Sequence, residues 1–564
     1  MTSAPSPHRS LRLALFSLAL LLGLLRALAS RDIGGGDTLS YLDIADLYSR
    51  GEFSVAVSSF WSPLYSWLLA SSLRVVRPGP ETEYALNAAW IFVLYLFWLL
   101  CFLYFWRAAD AWRAARANGD TGLSPFAWLL LGYDLFLWSA LELRANAVNN
   151  PDQLMNGFVL LAAALLLRMH SGRREPWRFV AFGALLALGY LAKAALFPVA
   201  LILLAALWWV PQSPLKPWRG LALALAAFLL FAGPWIVILS VRSGRLTFSE
   251  TGRLNYAFHV NQVPYTNWQG EPPGTGSPAH VSRRLSDRPA VFEFADPGRG
   301  TYPLWFDPVR WNQGVEPHFD LRQQLRTLAF NAWLYLLLFA SRADLLVVWP
   351  LLAWMGIRRG LLQRLRQGWF LWLPALAAMA MHAVVHFESR HVAVYLVLLW
   401  TAAFAALRFS SYPHVRRLAT AGIIALALST AISLGREFPE EIRRIRERPD
   451  RVYWEVAQEL VRLGAEPGDR IALFGDALWN SSAARLARVQ VAAEMPADQL
   501  GAYWSAAPER RTGIRDRLAS AGIAYVIAEC GDDCTLPCTR FPNTSTRPIR
   551  GPRTLAVCRL ADLP

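Results

Sequence analysis

The feature that most restricts this chain is a series of apolar stretches, near 11–30, 84–106, 125–142, 151–168, 179–192, 194–210, 219–241, 343–357, 369–386, 391–408 and 418–434. A bilayer core of ~30 Å takes about 20 apolar residues in a helix. A helix is the solution because it satisfies its backbone N–H and C=O groups internally, where no water can reach them. The series predicts a mainly α, polytopic membrane protein of about 11 transmembrane helices. The pair at 179–192 and 194–210 is short, and a single long tilted helix there would reverse the side of everything after it. The segment 327–341 is also apolar, but Ser341, Arg342 and Asp344 separate it from the next run, so it is expected to lie at the interface. The first run reads as an uncleaved first helix, with Ala27 to Ser30 the nearest approach to a cleavage site.

Charge sets the orientation. Arg9 and Arg12 precede the first run, Arg107, Arg113 and Arg116 follow the second, and Arg168, Arg173, Arg174 and Arg178 follow the fourth. Lys216 and Arg219, then Arg358, Arg359, Arg364 and Arg366, then Arg408, Arg416 and Arg417 follow the sixth, eighth and tenth. With eleven spans all these gaps fall on one side, which the positive-inside rule makes cytoplasmic, together with the N-terminus. The net charge of +15 is thereby explained without nucleic acid. Many of the 25 Trp stand at the ends of apolar runs, as in the aromatic belts of membrane proteins.

The outer side then receives residues 31–82, the long loop 242–326 and the tail 436–564. The expected organisation is a transmembrane domain over 1–435 and a small extracytoplasmic α/β domain over 436–564. In the tail, Val452–Leu463 has the period of an amphipathic helix, Pro467-Gly468-Asp469 a turn, and Arg470–Phe474 and Ile523–Ala528 the character of buried strands. Cys530, Cys534, Cys538 and Cys558 all fall there; outside the cytoplasm an even, close set reads as two disulfides. Zinc is the rival, against which stand the absence of a CxxC spacing and of a matching His. Cys101, in an apolar run, is a core or lipid-facing residue.

The first outer loop begins Gly34-Gly35-Gly36-Asp37, directly after the first run. A carboxylate there meets a lipid headgroup on one side and water on the other, and can take a proton from an attacking hydroxyl or amine. It can equally be the N-cap of a helix over 38–50, on which Asp43 and Asp46 read as solvated. Pro63 then starts an apolar helix of about 12 residues, too short to span.

The run Gly36-Asp37…Tyr41…Ala45…Gly51, followed by Trp61-Ser62-Pro63-Leu64-Tyr65, resembles the first periplasmic loop of GT-C-fold glycosyltransferases, among them the aminoarabinose transferase, protein mannosyltransferase and RgtA-like membrane proteins. That family commonly has an Asp at the end of its first helix as catalytic base. Its interface helices end in a Pro-Leu-Tyr-Pro-like sequence, whose second Pro is Ser66 here. Some relatives carry two adjacent acidic residues; Thr38 follows Asp37, so a metal-binding pair or divalent cation has no support, and no cofactor is expected. Asn150-Pro151-Asp152-Gln153-Leu154 is similar to the Pro-Asp-x-Leu that opens a helix in relatives, where Asp152 can act on substrate or simply favour the helix start. Gly189-Tyr190-Leu191-Ala192-Lys193 resembles their Gly-x-x-x-Lys, with Lys193 either aimed at a lipid-borne phosphate or snorkelling to the interface. His386-Phe387-Glu388-Ser389-Arg390-His391 is similar to their Glu-x-Arg-Tyr, with His391 in place of Tyr. Arg390 there can pair bidentately with phosphate. Glu388 can orient Arg390, bind sugar, or form a self-contained pair with it.

The resemblance is scattered over roughly 11–410. It implies a bacterial inner-membrane enzyme that moves a sugar from a polyprenyl-phosphate-linked donor to a lipid, glycan or protein acceptor on the outer face. Asp37 would be the base, and Tyr41, Asp152, Lys193, Glu388, Arg390 and His391 would bind substrate. The long loop, with Gly252–Tyr256, His259–Gln262 and Gly300–Pro308, suits sugar stacking or packing on itself, and singles out no residue. Two rivals stand beside this reading. A transporter or flippase of a lipid-linked or anionic substrate needs polar residues near the bilayer midplane and related repeats. A non-catalytic membrane scaffold would use the tail as its binding module.

Overall fold

The computed structural model describes residues 9–76, 80–116, 122–143, 150–172, 174–210, 217–294, 298–410, 412–531, 538–543 and 553–563. A helix occupies each apolar stretch. Five helices are long and apolar enough to cross a membrane alone: Arg9–Ala29, Glu81–Ala114, Asp152–His170, Trp218–Ser243 and the helix that starts at Pro413. Leu321–Ser341 and Ala343–Met355 pass the same test only as a pair, bent by 69°. The segment expected at the interface is thus longer than foreseen, because Asp320 caps it by accepting a hydrogen bond from the Gln323 N–H at 2.8 Å. The bend falls at Arg342, which leaves the helical region (φ −124°, ψ 44°). Pro176–Ala192, Leu196–Trp209, Trp369–Val384 and Ser389–Ala405 are shorter apolar helices. The 179–210 region is therefore two helices and not one. By length and composition the described residues hold five spans, or six with the bent pair, against the eleven expected. The chain is a multi-pass membrane protein.

Its contacts gather into two compact units. The first comprises residues 1–28, 89–255 and 319–442. Here helices approach closely at small residues. A Cβ on Gly183 would lie 1.9 Å from the Ala224 carbonyl oxygen, so the Pro176–Ala192 and Pro217–Ser243 helices meet only because that position is glycine. Tyr95 donates its hydroxyl to the Ala19 carbonyl at 2.8 Å, and Trp106 stacks on Trp128 at 4.3 Å. Arg342 is buried against Asp134 at 3.2 Å, and Thr430 donates to Asp134 at 2.6 Å. A lone charge would be costly there; each of these is paired.

The second unit comprises residues 29–88, 256–318 and 443–564. Its centre is a seven-stranded sheet in the order β1-β2-β4-β3-β5-β7-β6, formed by β1 (Arg283–Asp287), β2 (Ala290–Glu293), β3 (Arg470–Gly475), β4 (Gln490–Pro496), β5 (Tyr525–Cys530), β6 (Thr539–Asn543) and β7 (Arg553–Arg559). β3 pairs parallel with both β4 and β5, and the outer pairings are antiparallel. Side chains alternate along β3: Ile471 and Leu473 join one apolar layer, Ala472 and Phe474 the other. Both layers are buried, which is why this strand reads as a continuous apolar run. The sheet foreseen within the tail extends beyond it, since β1 and β2 come from the segment 242–326 and β2 pairs with β4 through Phe292 and Glu494. Cys538 and Cys558 form a disulfide with Cα atoms 5.0 Å apart, and Cys530 is also disulfide-bonded. Cys534 lies outside the described residues. Cys101 is free and buried.

Candidate functional site

Asp152, Lys193, Glu388, Arg390 and His391 belong to the first unit, Asp37 and Tyr41 to the second.

In the first unit the sequence brings distant residues onto one carboxylate. Asp152 opens the Asp152–His170 helix, where its charge faces the positive end of the helix dipole, and its side chain is fully buried. Its N–H donates to Asn150 Oδ1 at 3.0 Å. The preceding helix of the Gly-x-x-x-Lys segment ends at Ala192, so Lys193 takes an extended conformation (φ −151°, ψ 119°) and turns its ammonium to Asp152. Arg390, in the first turn of Ser389–Ala405, brings Nη1 to 3.5 Å from Asp152 Oδ2. Arg390 also donates to Glu388, which is held from its other side by His386 Nε2 at 3.1 Å. Burial would raise the Glu388 carboxyl, but the His386 hydrogen bond and the Arg390 charge outweigh it and hold the group below its ordinary value. The ring of His391 lies 5.1 Å from that of His382, and its Nδ1 is buried without a hydrogen-bond partner among the described residues. Asn156, one turn beyond Asp152 on the same helix face, is fully buried, and neither its Oδ1 nor its Nδ2 has a partner among them.

The cluster is thus one buried anion receiving two cations. The self-contained Glu388–Arg390 pair exists, and Arg390 reaches past it to Asp152. Lys193 is paired with Asp152. Among the described residues no group of three or more His, Cys, Asp and Glu is arranged to hold a metal ion.

In the second unit Asp37 is the first residue of the Asp37–Arg50 helix, and Gly36, not Asp37, stands at the N-cap. The Asp37 Oδ1 accepts a hydrogen bond from Trp305 Nε1 at 3.4 Å. Trp305 is braced by Trp61, Phe60 and Tyr265, with ring centres 5.7, 5.9 and 5.9 Å away. Trp61 Nε1 donates to the Trp305 carbonyl at 3.2 Å, and Ser40 Oγ to the same carbonyl at 2.9 Å. Tyr41 is buried edge-on against Trp61 and Tyr65, at 5.2 and 5.3 Å. Ser66, where the family has proline, donates its hydroxyl to the Tyr41 carbonyl at 3.2 Å. The short helix Pro63–Val75 is present as expected.

Asp43 and Asp46, read as solvated from sequence, are instead ion-paired to Arg485 of the tail, at 2.6 and 2.8 Å. Asp43 is buried, and it accepts from the Thr301 N–H and hydroxyl at 2.7 and 2.9 Å. Burial pushes its carboxyl above the ordinary value against the pull of Arg485. Sequence reasoning also missed Trp305 and Arg485. Trp305 stood in the segment Gly300–Pro308, whose aromatic content was the available signal; Arg485 is one Arg in an Arg-rich chain and carried none.

No family model matches the chain, and no curated protein matches it. Among solved structures it is similar to ArnT from Cupriavidus metallidurans bound to undecaprenyl phosphate, at 13% identity, with 98% of each chain covered and a TM-score of 0.51. It is also similar to the oligosaccharyltransferase of Archaeoglobus fulgidus tethered with an acceptor peptide, at 12% identity, over 92% of this chain and 69% of that one, with a TM-score of 0.45. The chain has the GT-C fold of ArnT.

Proposed function

We propose that this chain is a membrane glycosyltransferase, moving a sugar from a polyprenyl-phosphate donor to a lipid, glycan or protein acceptor on the extracytoplasmic face of a bacterial inner membrane. The observation that carries this reading is the pair of cations on the buried Asp152, in a fold shared with a protein crystallised with undecaprenyl phosphate. Lys193 has three N–H donors and gives one to Asp152; Arg390 offers a planar fork. The unpartnered amide of Asn156 adds a donor and an acceptor on the same helix.

In this reading Asp37 takes the proton of the acceptor hydroxyl or amine as its oxygen or nitrogen attacks the anomeric carbon. The bond from that carbon to the phosphate oxygen breaks, and the configuration inverts. Negative charge grows on the departing polyprenyl phosphate, where Lys193 and Arg390 stabilise it. Asp152 holds the two cations together, Glu388 and His386 fix the Arg390 fork, and Tyr41 and His391 belong to the substrate side. The N-terminus is cytoplasmic, the outer segments and tail extracytoplasmic, and the apolar helices make eleven spans. Mass spectrometry of lipids from a strain lacking this chain tests the reading: an accumulated polyprenyl-linked sugar is expected and would name the donor. An unchanged lipid and glycan profile would contradict it.

A further inference from the structure

The tail helix Ala477–Leu486 lies against the loop Gly34–Gly36 that leads into the acidic helix Asp37–Arg50, the two together forming the acidic loop. The tail helix leaves the C-terminal end of β3, the first strand of the parallel trio, with β4 and β5 added on either side of it. In open α/β sheets the crevice at such a reversal of strand order is where ligands bind. Here the segment against it is the chain's own Gly34–Gly36. Gly36 donates its N–H to the Leu478 carbonyl at 2.7 Å, one residue before Asp37. Gly35 has φ +94°, and a Cβ on it would sit 2.7 Å from a Trp479 ring carbon and 2.9 Å from the Leu478 oxygen. A Cβ on Gly34 would meet Ser482 Oγ at 2.7 Å. The run of glycine is therefore what lets this backbone lie against the helix.

The same helix grips the acidic helix a second time. Arg485, 4% exposed, reaches Asp43 and Asp46 of Asp37–Arg50, and Glu83 at 3.1 Å. Leu39 of the acidic helix joins the apolar layer of Ile471, Leu473 and Ile527. The residue before Asp37 is thus held by the Leu478 carbonyl, and the helix that Asp37 opens is held by Arg485.

We propose that the C-terminal α/β domain is the positioning element of the acidic loop, with Arg485 as its positioning residue and the Leu478–Trp479 turn as its seat. The proposal rests on the reading of Asp37 as the base. A base acts only within hydrogen-bond reach of its proton, and a displacement of about 1 Å costs roughly 100-fold in rate.

The test uses the full chain, returned as variants to a host lacking its own copy, with the lipid-linked sugar accumulated in that host's membranes as substrate and its consumption as the readout. Gly35→Ala leaves every partner of Arg485 in place and is expected to slow consumption at saturating donor about 10- to 100-fold, with the donor level for half-maximal rate unchanged. Its Gly36 amide exchanges with solvent faster than in the parent. Arg485→Met is expected to slow consumption about 100-fold, and Arg485→Lys, which keeps the charge, to recover part of that loss. Where Arg485→Met fails to accumulate, Gly35→Ala and Arg485→Lys decide. Rates within about twofold of the parent for Gly35→Ala and Arg485→Lys, with Asp37→Asn inactive, overturn the positioning proposal alone. A parent-like rate for Asp37→Asn overturns the base reading, and this proposal with it.

Discussion

Two buried ionic clusters, one in each unit, are built in opposite senses. Around Asp152 one carboxylate receives two cations, Lys193 and Arg390; around Arg485 one guanidinium receives three carboxylates, Asp43, Asp46 and Glu83. Taking charge out of water is costly, and both clusters offset the cost by pairing. They differ in what pairing leaves over. The terminal nitrogens of Arg485 are engaged by carboxylates and the residue is almost wholly buried, with Nε the one nitrogen that has no hydrogen-bond partner among the described residues. The Lys193 side chain is 23% exposed and gives one donor to Asp152, so in the proposed reading an incoming anion would find N–H groups already oriented. A buried cation enclosed by carboxylates holds a structure together; a partly exposed one beside a buried counterion is suited to a ligand.

That contrast can be broken by exchanging the two kinds of loss. The largest effect is expected from Arg485→Met, which leaves the buried Asp43 without its cation while Arg488 still reaches Asp46 and Glu83: thermal unfolding of the purified chain should show the second unit destabilised by ~3–5 kcal/mol. Lys193→Met leaves Arg390 on Asp152, so it should lower sugar transfer by roughly 100- to 1000-fold with a smaller loss of stability than Arg485→Met. Equal stability losses for both would erase the distinction.

Glu494 sharpens it further, as a buried acid with no ion-pair partner among the described residues. Tyr302 donates to it at 2.6 Å, Asn267 also donates, and burial still pushes its carboxyl up to about 7. Its folded value lies above the ordinary 4.5, so between these values the folded unit binds more protons than the unfolded chain. Its stabilising contribution is full below pH 4.5 and is lost as pH rises through about 7. Melting followed against pH should show stability falling by roughly 1–3 kcal/mol across that window, and Glu494→Gln should flatten the curve. The smallest effect is expected from Trp305→Phe, which removes one long hydrogen bond to Asp37 and keeps a smaller aromatic ring in its place: transfer should fall about threefold.

Much of this architecture is legible in the sequence because the bilayer imposes a length on apolar helices, and because Ile471–Phe474 and Tyr525–Ala528 are apolar on both faces. β4 was not legible: Gln490–Pro496 is rich in Ala, Glu and Met, which favour helix, and becomes a strand through its neighbours β2 and β3. β1, Arg-Arg-Leu-Ser-Asp, is a polar edge strand with no apolar alternation to reveal it. The site shows the same division. Asp152, Lys193 and Arg390 were each visible as charges beside apolar runs, but their meeting was not, since 41 residues separate Lys193 from Asp152. The burial of Asp43 was hidden because its partner, Arg485, lies 442 residues away.

The central claim turns on the carboxylate of Asp37. Asp37→Asn keeps the size and shape of the side chain and removes its capacity to take a proton. In the host that lacks its own copy, this variant, expressed and inserted like the parent, should leave the lipid-linked sugar unconsumed and the acceptor unmodified. Consumption at the parent's rate would contradict the account.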